Sequence, residues 1–244
     1  MEAINNLNSE TINLLLKTKL LRPLLRQEIL KGELHSIHID NNLKETLIKK
    51  FKEEKSIKND DELNAFLESE YLSLNDFEEI AIAQTKIEKL INLRFEHQIE
   101  SRFLERKSKL EIIVYSLIRV NNPFLAREIY FRAVEGEEDI GDLASKFSEG
   151  IEKRTRGIVG PAPIENSHPQ LAEFLRKSKV GEIQQPTIVN NSFLVIRVES
   201  REPVILDEFT RKKMGEELVQ DWIEKKTSEM ITNLIDKTQS SKRA

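Results

Sequence analysis

Apolar positions recur in two rhythms along the chain, and the rhythm changes near residue 110. Before it, apolar residues return every three or four positions, the period of an amphipathic helix. Helices are predicted from Ser9, with Pro23 kinking the first or starting a second, and then over about 40–55 and 59–69. A long helix is predicted over about 73–108, with a stripe of Phe77, Ile80, Ile87, Ile91, Phe95, Ile99 and Phe103. From Glu111 to Val120 the pattern becomes a continuous β-branched run, which predicts a strand. Asn122-Pro123 then reads as an N-cap with proline in the first turn, opening a helix to about Gly136. A short helix is expected over 139–147, a polar loop over 148–156, a short extended piece over 157–163, and a third helix from Ser167-His168-Pro169 to about Ser178. Two strands, 185–189 and 192–199, meet at Asn190-Asn191, a dipeptide suited to a tight hairpin. Beyond them, 207–237 returns to helical spacing with Met214, Leu218, Trp222 and Ile223 on one face. Such a stripe must be buried on something, and the N-terminal helices are the expected partner.

Punctuation sharpens this division. Of 8 glycines and 7 prolines, only Gly32 and Pro23 precede residue 120. The N-terminal segment is therefore expected to be helical and the middle turn-rich. The expected layout is a helical module at 1–110, a mixed unit at 111–203, a closing helix at 204–237 and a disordered tail at 238–244.

The order β-α-α-(short β)-α-β-β within about ninety residues resembles the parvulin (PpiC-type) peptidyl-prolyl isomerase domain. The resemblance is carried by Leu125-Ala126, Gly136, Ile140, Leu143-Ala144 and Phe147-Ser148 for the helix pair, and by Gly157 and Gly160 for a glycine turn. Pro169, Leu171, Leu175, Val180-Gly181-Glu182 and Pro186 continue it, and Phe193 to Ile196 close it as the last strand. A helical module from both chain ends, holding such a domain, is similar to the SurA and PrsA chaperones. The expected fold class is thus α+β, a helical module with an inserted parvulin-like (FKBP-like β-α-α-α-β-β) domain.

This resemblance implies a chemistry without cofactor, nucleophile or metal. Rotation about the prolyl imide is opposed by about 18–20 kcal/mol because it breaks amide resonance. A catalyst must hold the ring and favour the twisted amide. Parvulins do so with two histidines, an Asp or Cys, a Ser or Thr and a Leu-Met-Phe pocket. Those roles fall here on Ser116 and Leu194 for the histidines, near Gly150 for the acid, on Ile158 for the aspartate of the glycine turn, on Val189 for the hydroxyl, and on Val159, Ser167 and Leu171 for the pocket. Most polar functions are missing, so the isomerase is expected to be weak or lost. Ser116, Ser167 and His168 are the candidate catalytic groups if activity is retained. Val159, Leu171, Phe174, Phe193 and Leu194 are the candidate peptide-binding surface, with Phe174 alternatively facing inward.

Composition narrows the partners. The 244 residues carry a formal charge of -4, unlike the basic footprint expected of a nucleic-acid binder. No cysteine is present, which removes disulfides and thiolate metal sites. His35 and His38 have metal-like spacing without a third ligand, and no metal or other cofactor is expected. The stretch 12–30 is too interrupted by Lys and Arg to span a bilayer, and 1–10 lacks the basic start and apolar run of a secretory leader. A cytoplasmic location is therefore expected. The expected partners are extended or Pro-containing polypeptides, with the oligomeric state left open. The expected function is a peptide-binding folding or export chaperone of the isomerase family. Alternatives are an active isomerase with non-standard polar residues, or a scaffold docking one fixed partner.

Overall fold

The computed structural model describes residues 7–240, with side chains to Asp236. Two compact units emerge: residues 1–102 together with 207–244, and residues 103–206.

The first unit is helical. It contains α1 (Ser9–Lys17), α2 (Leu21–His35), α3 (Asn41–Glu54), α4 (Asp60–Ser69), α5 (Leu74–Arg94), the N-terminal half of α6 (Glu96–Leu110), and α10 (Glu208–Ser240). Residues 241–244 of the expected tail lie outside the described residues. The starts follow from capping chemistry. Asn8, Asp40, Asn59 and Ser73 each accept a backbone N–H of the first turn, and Ser73 with Asp76 forms a reciprocal capping box. Pro23 falls in the first turn of α2, so a new helix begins there rather than a kink.

The predicted long helix is two helices. Its break at Phe95 involves neither glycine nor proline. Phe95 leaves helical geometry (φ -121°, ψ -5°), is buried, and lies edge-on to Trp222 with ring centroids 6.5 Å apart. Ile80, placed on the buried stripe by its spacing, is 47% exposed; Ile82 and Leu90 are buried instead. Helix α10 lies along α2 and α5, burying Met214, Val219, Ile223 and Leu234. Gly215 allows this approach, since a Cβ there would stand 2.4 Å from Ile91 Cγ2. Among the described residues no helix is long and apolar enough to cross a membrane.

The second unit is built on an antiparallel sheet of order β2-β1-β4-β3, with β1 Ile112–Val120, β2 Ile158–Pro163, β3 Ile183–Val189 and β4 Ser192–Glu202. Asn190 and Asn191 both have positive φ, as a tight hairpin of the sheet's own twist requires. Helices α7 (Pro123–Val134) and α8 (Ile140–Phe147) cover one face, where Ile118, Val120 and Val195 meet Ala126, Ile129, Leu143 and Ala144. A single nine-residue helix, α9 (Pro169–Lys177), covers the other. There Ile113, Tyr115, Leu117, Leu194, Ile196 and Val198 meet Ile164, Leu171, Ala172 and Leu175. Val114 of β1 stands opposite irregularities in both neighbours: Gly160-Pro161 on β2 and Glu199 on β4 are the extra residues. Gly160 has φ 104°, and a Cβ on it would lie 2.4 Å from the Ile113 carbonyl, so only glycine fits this turn.

Candidate functional site

Strand β1 decides what the α9-covered face can offer. Directly paired residues of an antiparallel sheet share a face. Leu117 pairs with Ile196 and Arg119 with Leu194, which puts Leu117, Arg119 and, by alternation, Tyr115 on the α9 side. Ser116 pairs with Arg197 and therefore points the other way. It is 1% exposed and donates its hydroxyl proton to Glu199, which also accepts from Arg197 Nε at 2.8 Å. The expected role of Ser116 beside a bound imide is corrected on this ground: it is a satisfied structural hydroxyl behind the sheet. Phe193 is corrected likewise. It pairs with Val120 and packs with the α7–α8 core, on the face opposite Leu194.

The remaining residues do gather. Ser167 ends the short turn Ile164–Asn166 just before α9, half-buried, with its hydroxyl near enough to the Tyr115 phenol to oppose the rise of the phenol pKa. His168 occupies the N-cap of α9 without capping it and is exposed. Val159 pairs with Tyr115 across β1 and β2. Leu171 and Leu194 are buried at 7% and 3% exposure, so they form the floor under this face rather than an open groove wall. Phe174 is partly buried and packs onto the same core, the inward alternative.

Sequence reasoning misses two residues of this face, Tyr115 and Glu152. Glu152 sits in the loop segment Ile151–Thr155, only 4% exposed. Its Oε1 accepts from Ser148 Oγ at 2.8 Å and lies 3.6 Å from Arg119 Nε. Ser148 Oγ in turn accepts the Arg119 backbone N–H at 3.1 Å, and the Glu149 N–H donates back to the Arg119 carbonyl at 2.9 Å. The loop is thereby tied to the edge of β1. Gly150 makes room for the carboxylate, which a Cβ at that position would meet at 2.2 Å. Burial raises the Tyr115 pKa; the Ser167 hydroxyl and the Arg119 charge oppose that rise, and the Glu152 charge adds to it. The phenol therefore stays a proton donor at any physiological pH.

The face thus combines an apolar floor, a neutral hydroxyl pair, and a guanidinium held by a buried carboxylate. His168 is the only histidine of residues 103–206, so no pair of imidazoles can stand here. The hydroxyls and guanidinium of this face can donate hydrogen bonds to a carbonyl or, in a twisted amide, to the imide nitrogen. The face offers no nucleophile activated by a base.

The PPIC-type PPIASE domain of the rotamase family matches residues 121–200. No curated protein matches the chain. Among solved structures, the peptidylprolyl isomerase PrsA from Bacillus cereus is 19% identical, with 92% of this chain and 85% of that one covered and a TM-score of 0.50. PrsA from Bacillus anthracis is 16% identical, covering 88% and 97%, with a TM-score of 0.48. One of two SurA-like chaperones described from Campylobacter jejuni is 16% identical, covering 87% and 92%, with a TM-score of 0.38.

Proposed function

We infer that this chain, whose residues 121–200 match the PPIC-type PPIASE domain and whose α+β fold is PrsA-like, is a parvulin-family protein acting mainly as a chaperone for extended, Pro-containing or apolar polypeptides, with isomerase activity weak or lost. One observation carries this reading. The α9-covered face keeps its apolar floor, while the strand positions facing it are Tyr115, Leu117, Arg119 and Leu194 rather than histidines. An apolar surface with a few donors binds a peptide by area and by hydrogen bonds to its backbone. Selective stabilisation of the twisted amide needs polar groups aimed at it, each contributing about 10²-fold or more. With one neutral hydroxyl pair there, and a guanidinium already engaged by Glu152, binding outlasts catalysis. Affinity is expected in the roughly micromolar to millimolar range, because ordering a flexible peptide opposes the gain.

A protease-coupled assay on Pro-containing peptides tests the catalytic half. A rate little above background is expected, and a rate typical of an active parvulin overturns it. NMR titration with a Pro-containing peptide tests the binding half. Shifts should cluster at Val159, Ser167, Leu171 and Leu194; shifts confined to residues 1–102 would overturn it.

The Tyr115–Ser167 pair favours a second reading, a working isomerase with non-standard donors. Under that reading Tyr115→Phe abolishes turnover while peptide affinity changes little.

A further inference from the structure

In the helical unit a groove of about 700 Å³ opens where α1, α2 and α10 meet. Leu15, Leu16, Leu21, Pro23 and Ile231 line it. Leu14 and Leu20, flanking these residues in the chain, are 61% and 56% exposed. Its rim is charged, and the charge is lopsided: Lys19, Arg22 and Arg26 face a single carboxylate, Glu224. Both guanidiniums share that carboxylate, Arg22 through one oxygen and Arg26 through the other, and Arg26 also reaches Gln220. These side chains are a third to a half exposed, so water screens the pairs and they open at little cost.

We propose that this groove is a second polypeptide-binding site, distinct from the α9-covered face, and that it takes segments whose apolar residues alternate with acidic ones. The floor removes leucine-sized side chains from water. The cationic surplus on the rim accepts the neighbouring carboxylates, with Arg22 and Arg26 each presenting a planar donor fork. Glu224 then acts as a built-in competitor. It neutralises the rim in the empty site and is displaced by the carboxylates of the bound segment. A basic segment meets repulsion on the same rim, so the site discriminates by charge as well as by area.

The test uses the full chain and fluorescence anisotropy. One probe is a labelled peptide of leucines alternating with glutamates, and the other has lysines in place of the glutamates. The glutamate peptide should bind about tenfold more tightly or better, and added salt should erode the difference. The double variant Arg22→Gln/Arg26→Gln should remove most of that preference. Glu224→Gln should strengthen glutamate-peptide binding several-fold, a gain that loss of a merely structural ion pair does not produce. It also decides the matter should the double variant fail to fold. Equal binding of the two peptides overturns the proposal, as does weaker glutamate-peptide binding by Glu224→Gln. Sedimentation showing a dimer that Leu16→Ser dissociates assigns the groove to a second copy and equally overturns it. None of these variants touches residues 103–206, so failure here is separable from failure at the α9-covered face.

Discussion

The two faces of the sheet share four strands and differ in what covers them. Behind the sheet, α7 and α8 bury a face on which Ser116, Arg197 and Glu199 satisfy one another. In front, one nine-residue helix covers the floor, and Tyr115, Ser167, Arg119 and Glu152 remain within reach of solvent or of one another. A strand buried on both faces reads as a continuous apolar run. Cover, rather than composition, therefore makes one face scaffold and the other the candidate site. Changes behind the sheet should alter stability alone, whereas changes in front should alter stability and ligand response together.

The largest effect is expected behind the sheet. Ile118 is fully buried against α7 and α8, so Ile118→Ala should cost about 2–5 kcal/mol in chemical denaturation. Peptide affinity of the protein that remains folded should be unchanged. Leu194→Ala should cost a similar amount and also weaken peptide binding. If both variants behave alike toward peptide, the division between the faces is wrong.

Next comes the loop carboxylate. Glu152→Ala leaves the Ser148 hydroxyl buried without its acceptor and frees the Arg119 guanidinium, a loss of about 1–3 kcal/mol. NMR should show the loop around Gly150 loosened and Tyr115 perturbed. Ser116→Ala, behind the sheet, should cost about 1 kcal/mol and leave the peptide response untouched.

Tyr115→Phe is expected to cost a similar amount, about 0.5–1.5 kcal/mol, with its larger consequence in the isomerase assay. The smallest effect is on pH dependence. Because burial raises the folded-state pKa of Tyr115, its contribution to stability is full below the unfolded phenol value of about 10. It is lost as pH rises through the folded value. Thermal melts between neutral and strongly alkaline pH should show Tyr115→Phe with a flatter alkaline limb than the parent.

The same strand explains how much is legible in the sequence. Element order, the Asn122-Pro123 start of α7, the asparagine hairpin and the glycine turn announce themselves through local chemistry, and the α+β parvulin-like fold follows from them. The resemblance puts Leu171, Leu194, Val159 and Ser167 on one face, and in the structure they lie together on the α9-covered side. It misplaces Ser116, because alternation gives no phase to a strand apolar on both sides: Tyr115–Leu117 and Ser116–Ile118 look equally inward. Phe193 goes to the site with its neighbour only if the alternation is ignored, since adjacent strand residues point apart. Glu152 stands in a polar run, where nothing local distinguishes a buried carboxylate from a solvated one. Phe95 carries no helix-breaking signal, since its break coincides with a contact to Trp222, 127 positions further along the chain.

The register of β1 and β4 also fixes how the second unit bears load. Ile112 pairs with Glu202, so the first residue of one strand lies beside the last residue of the other. Tension applied to the two chain segments leaving this unit meets the β1–β4 ladder end-on. The hydrogen-bonded pairs then separate in sequence, like a zipper, instead of sharing the pull as strands in shear do. A pull through its own flanking segments thus peels open first the strand pair that carries Tyr115 and Leu194, while the α7–α8 packing behind it resists.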